Sequence, residues 1–116
     1  MAVANRSALP NAPGQLKSHY APQTPMKLLK PDVRPLPDPK KRMGLLAWCS
    51  DDDARGFHMV EILSRKGDMR EAASSLFAKL RLLDAEGLDL IVAESVPDEG
   101  LGAAINDRLR KAAGNG

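Results

Sequence analysis

Prolines decide where this chain can fold. They stand at positions 10, 13, 22, 25, 31, 35, 37 and 39, and only Pro97 follows. Each removes a backbone donor and pushes the residue before it toward extended conformations, so no long helix fits between them. Residues 1–42 therefore read as a proline-rich arm or linker, and residues 43–116 as the folded unit. A chain of 116 residues with 43% hydrophobic composition suits one domain with a modest core.

Within the arm, MKLLK (26–30) lies between Pro25 and Pro31 and permits an edge strand, while KPDVRPLPDPKKR (30–42) reads as a solvated loop. MGLLAWCS (43–50) is a compact apolar run closed by a polar cluster, the pattern of a central strand buried on both faces. FHMVEILS (57–64) suggests a second strand without a clean apolar side. From 67 to 87 the spacing of Ala73, Leu76, Phe77, Leu80 and Leu83 predicts a helix, with Asp68 and Glu71 as a capping box and Gly87 as the stop. LDLIVAESV (88–96) is a further buried strand. After it, PDEGLGAAINDRLRKAAGNG is a loop opening into a last helix whose apolar side is Ile105, Leu109 and Ala112. This order argues for an α/β domain with a mainly parallel sheet and at least one right-handed crossover.

Charge and composition exclude several functions. Seventeen basic against 15 acidic side chains leave a net charge of +2, too little for strong attraction to phosphate backbones, and aromatics at 3% offer no platform for stacked bases. Cys49 is the single cysteine, which points to a reducing compartment and so to the cytoplasm. The longest apolar run, Met43 to Cys49, is far below the roughly 20 residues that cross a bilayer.

No catalytic set emerges from the residues themselves. His19, Cys49 and His58 match no zinc spacing, and Cys49 ends a buried run, where a packed thiol is the commoner state. Asp51, Asp53 and Gly56 imitate the start of a calcium loop, but Ile62 stands where a bidentate Glu is required. Gly100 and Gly102 lie between a strand and a helix, where free N–H groups could hold a nucleotide phosphate or another anion; a tight packing turn explains them more simply.

Two stretches resemble a known family. PGQLKSHYAPQTP (13–25) is similar to the linker of the two-domain threonylcarbamoyl-adenylate synthases, and residues 74–113, ending in EGLGAAINDRLRKAA, are similar to the end of their carboxy-terminal domain. The resemblance implies a small, trimmed Rossmann-like domain that lacks or shortens its first helix at the proline-rich stretch before Met43. The family makes threonylcarbamoyl-adenylate from ATP, L-threonine and bicarbonate for tRNA modification, on an amino-terminal domain with no counterpart here.

The chain is thus expected to be a linker plus accessory domain, inactive alone, from a fragment or a split or truncated gene. Its partner is an amino-terminal catalytic domain in the same or a separate chain, through which it meets ATP, threonine and bicarbonate. It binds no cofactor by itself, no membrane and no tRNA directly. In the family the linker folds over the catalytic pocket, which makes Tyr20 the first candidate for an ATP contact, with His19 and Lys17 behind it. Gln15 and Ser18 depart from the linker pattern, where Met and a basic residue are frequent. The alternative is a free-standing nucleotide- or anion-binding module using the Gly100–Gly102 turn.

Overall fold

The computed structural model of the chain describes residues 21–114. Its elements are β1 (Met26–Leu28), β2 (Met43–Ala47), β3 (Met59–Ile62), α1 (Met69–Asp84), β4 (Leu90–Ala93) and α2 (Leu101–Ala112). The four strands form one sheet in the order β1-β4-β2-β3, and every neighbouring pair is parallel. Met26 pairs with Ile91, Leu45 with Val92, and Leu45 with Val60. MKLLK thus supplies an edge strand, and the sheet reaches back into the proline-rich stretch.

Burial follows position in the sheet. β2 and β4 are interior; all five residues of β2 are buried, as are Ile91, Val92 and Ala93 of β4. β3 lies at the edge, so each of its four residues is half-buried, which is why its sequence shows no clean apolar side. It is also shorter than the apolar run suggested: Phe57 and Leu63 flank it, and Phe57 packs from a loop.

Both helices lie against one face. There Leu46, Ile91 and Ala93 meet Leu76, Leu80 and Leu83 of α1 and Ile105, Leu109 and Ala112 of α2. Each fully buried Leu contributes about 1.5–3 kcal/mol of transfer free energy, so this cluster is the main source of stability. The stripe of α1 that meets the sheet begins at Ala72 rather than Ala73; Ala73 and Phe77 sit on its flank, beside Leu101, Ala104 and Arg108 of α2. The opposite face, formed by Met43, Leu45, Ala47 and Val92, is covered by Leu29, Ala54 and Phe57 from loops. Residues 29–42, which join β1 to β2, contain turns and no helix, as four prolines require.

Caps set the helix ends. The Asp68 carboxylate accepts the N–H groups of Arg70 (2.9 Å) and Glu71 (3.4 Å). The reciprocal half of the box is relayed: the Asp68 N–H donates to Ser64 Oγ, and that hydroxyl donates to Glu71 Oε1. Gly87 then turns the chain out of α1 with φ 74°, in the left-handed region that glycine enters without strain. No helix among the described residues is long and apolar enough to cross a membrane.

Candidate functional site

Three places in the fold could carry function, and the first is where the arm joins the sheet. Asp84 ends α1, and its two carboxylate oxygens face the chain just ahead of β1. Oδ1 accepts from the Thr24 N–H at 2.9 Å and the Thr24 hydroxyl at 2.8 Å, and Oδ2 accepts from the Gln23 N–H at 3.2 Å. One step further on, Pro25 O accepts from the Ile91 N–H at 2.8 Å and leads into β1. An acid in the last turn opposes the helix dipole, so its presence there has to be explained by what it holds. Here it holds the end of the HYAP arm. Lys17, His19 and Tyr20 themselves lie outside the described residues.

Beside this anchor, at the amino ends of β2, β3 and β4, lies a polar cluster that the sequence did not suggest. Arg42 and Asp89 exchange two hydrogen bonds, Arg42 N to Asp89 Oδ2 at 2.8 Å and Asp89 N to Arg42 O at 2.7 Å. The Arg42 guanidinium reaches His58 Nε2 at 3.0 Å and Glu86 O at 3.3 Å, and His58 Nε2 stands 3.5 Å from Glu86 Oε2. These groups join three strands to the turn after α1.

The second place is a cleft of about 250 Å³ at the carboxyl ends of β1, β4 and β2, lined by Lys30, Arg34, Trp48, Asp53, Glu94 and Ser95. Open parallel sheets commonly bind ligands in such crevices. Most polar groups here are already engaged, however. Glu94 Oε1 accepts from the Trp48 N–H at 2.8 Å, the Ser95 hydroxyl donates to Leu29 O, and Arg34 pairs with Asp53 at 2.8 Å. Hydrogen bonding and the charge of Asp53 raise the pKa of that guanidinium. Trp48 packs against the helical-face core, and Cys49 beside it is half-buried rather than enclosed, because β2 ends at Ala47. Asp51 pairs with Arg65 at 3.3 Å, so the acidic run 51–53 is tied to arginines on either side. Among the described residues no group of three or more His, Cys, Asp or Glu side chains gathers as a metal site.

Gly100 and Gly102 form the third place. Gly100 is the residue before α2, with φ 54° and ψ −125°. Gly102 is buried, and its N–H donates to Glu99 O at 2.9 Å. A Cβ there would stand 1.8 Å from Pro97 O and 3.0 Å from Met69 Cε. Asn106, one turn on, holds the same loop: it accepts from Val96 N at 2.9 Å and donates to Val96 O at 2.8 Å. The turn is therefore a close-packed joint between β4 and α2.

Comparison with known proteins gives these features a context. A family model described as "Threonylcarbamoyl-AMP synthase, C-terminal domain" matches residues 2–114. The chain belongs to this family. It is 30% identical over 119 residues to the threonylcarbamoyl-AMP synthase of Bacillus subtilis, covering 97% of this chain and 34% of that protein. With the synthase of Pyrococcus abyssi it shares 32% identity over 114 residues, 89% of this chain and 32% of the other. The crystal structure of P. abyssi Sua5 complexed with L-threonine superposes with a TM-score of 0.62 at 32% identity, over 84% of this chain and 30% of that one. The chain thus spans about a third of the length of the curated synthases it matches, and its α/β sheet with two helices is the fold of the synthase family's carboxy-terminal domain.

Proposed function

We propose that this chain is the linker and carboxy-terminal accessory domain of a threonylcarbamoyl-AMP synthase, and that it does not catalyse the reaction by itself. The observation that carries this reading is the family match over residues 2–114 of a chain spanning only a third of the related enzymes. The described residues add to it, because the polar groups that define the cleft and the glycine turn mostly hold the fold together. The enzyme joins ATP, L-threonine and bicarbonate into threonylcarbamoyl-adenylate, with release of pyrophosphate, for threonylcarbamoylation of tRNA in the cytoplasm. Its catalytic domain, in the same or a separate chain, is the partner.

In this reading the arm is a lid. Tyr20 and His19 close over the nucleotide, Lys17 neutralises phosphate charge, and the closed lid keeps water from a reactive mixed anhydride. Support comes from a solved P. abyssi Sua5 variant in which an adjacent His–Tyr pair is replaced by alanines; it matches this chain with a TM-score of 0.55 at 38% identity, over 66% of this chain and 20% of that one. His19–Tyr20 is the single His–Tyr pair of this sequence. The test is pyrophosphate release from ATP, threonine and bicarbonate. The chain alone is expected to give none, and addition of a synthase catalytic domain should restore turnover that a Tyr20→Ala chain supports less well. Robust release by the chain alone would refute the proposal.

A further inference from the structure

We infer that the cleft at the carboxyl ends of β1, β4 and β2 is a binding site for a small zwitterionic amino acid, its ammonium met by Asp32 and Glu94 and its carboxylate by Lys30. The site belongs to this domain alone and does not rest on the reading of the arm as a lid. Topology marks the place. β4 is followed by α2 on the helical face, whereas the connections leaving β1 and β2 pass over the other face, where Leu29, Ala54 and Phe57 pack. β4 therefore stands between two strands whose connections leave in the opposite direction, and open parallel sheets bind ligands in the crevice at such a switch point. At about 250 Å³ the cleft is smaller than the roughly 300–1,000 Å³ of pockets for drug-sized ligands, so it suits a small molecule.

Charge gives the class of ligand. Arg34 and Asp53 pair with each other, which leaves one base and two acids in the lining. Lys30 Nζ and the Asp32 carboxylate have no partner among the described residues; Glu94 uses Oε1 to accept the Trp48 N–H, and no described cation pairs with it. A phosphate or other plain anion would meet Lys30 against two carboxylates, and a plain amine would leave Lys30 without a counter-charge. A molecule carrying both an ammonium and a carboxylate answers all three groups. Val33 and the half-buried Trp48 supply an apolar wall for its side chain.

The conformation of Asp32 supports the same reading. The Val33 N–H donates to Lys30 O at 3.2 Å, closing a turn with Pro31 and Asp32 at its corners. Asp32 has φ 68° there, and among the described residues no other non-glycine has positive φ. Glycine is the relaxed residue at such a corner after proline. An aspartate held there, with a carboxylate that bonds to nothing in the fold, is not accounted for by folding, and backbone strain of this kind gathers at ligand sites.

Titration of the 116-residue chain with L-valine and its near-isostere L-threonine tests the site, followed by calorimetry and by the emission of Trp48, the single tryptophan. Both signals should report saturable binding. Isovalerate, which is valine without its ammonium, and isobutylamine, which is valine without its carboxylate, should each bind at least about tenfold more weakly, the effect of losing one charge-assisted hydrogen bond. Asp32→Gly and Lys30→Met should each weaken L-valine by about the same factor. Asp32→Gly should keep the wild-type fold and unfolding midpoint, because glycine is at ease at that corner, so lost binding there is not lost structure. Absence of saturable binding of either amino acid by calorimetry overturns the site. Unchanged affinity in Asp32→Gly or Lys30→Met overturns the assignment of the two charges. Isobutylamine or isovalerate binding as tightly as L-valine overturns the zwitterion, leaving a site for a cation or an anion alone.

Discussion

Replacing Gly102 with alanine puts the smallest side chain where the fold has no room. The new Cβ would stand 1.8 Å from the Pro97 carbonyl oxygen, so that oxygen has to move by more than an ångström. It is not free to do so: Pro97 O accepts from Glu99 N at 3.0 Å, and the preceding Val96 is held through both its backbone groups by Asn106. Overpacking costs about 1–3 kcal/mol, and giving up one or two of these hydrogen bonds adds roughly 1 kcal/mol each. The total is about 2–5 kcal/mol, a large part of the roughly 5–15 kcal/mol that stabilises a domain. At about 4–8 °C per kcal/mol for a domain of this size, the midpoint of thermal unfolding followed by circular dichroism should fall by on the order of 10–40 °C. Ala103→Gly, on the exposed side of the same turn of α2, calibrates the experiment with about 1 kcal/mol of helix propensity. A Gly102→Ala midpoint no lower than that of Ala103→Gly would refute the close-packed joint and reopen the turn as an anion site.

Other substitutions follow the same contacts. Asn106→Ala leaves the buried Val96 N–H and C=O without their partner and should cost about 2–4 kcal/mol in urea unfolding. Asp68→Ala removes the amino-terminal cap of α1 and should cost about 1 kcal/mol by the same measurement. Leu45→Ala, on the loop-covered side of the sheet, should cost about 2–5 kcal/mol, whereas Leu36→Ser, at a side chain 80% exposed, should stay within about 0.5 kcal/mol of wild type.

The sequence reading succeeded where a pattern is local. The period of α1, its Asp68 cap, and the apolar runs of β2 and β4 each depend on residues a few positions apart, and all are found in the structure. The small shift from Ala73 to Ala72 arises because α2 covers one flank of α1, a tertiary fact that periodicity does not contain. β3 was harder, since an edge strand buries its residues by halves. Long-range polar pairs left no local pattern: Asp84 serves residues 60 positions earlier, and Glu94 serves Trp48, 46 positions earlier. One signal for Asp84 was present, an acid in the final turn of a helix, where the dipole disfavours it. The resemblance that named the family drew on short motifs in order along the chain, and the family match covers the same stretches.

The covering of the second sheet face has a consequence for how this domain's motions can be seen. Pro31, Pro35, Pro37 and Pro39 stiffen the β1–β2 connection before folding begins, so ordering it costs less chain entropy than ordering an equally long flexible loop. The same four residues carry no amide hydrogen. The other ten residues of 29–42 keep their amides, and those of Val33 and Lys41 donate to Lys30 O and Asp38 O, so exchange follows this segment only at the points between its prolines. A partial opening that bares Met43, Leu45 and Val92 while leaving the helical face intact would be recorded by few amides there, and a fluorine or methyl label on Leu36 or Val33 would report it at the side chains themselves.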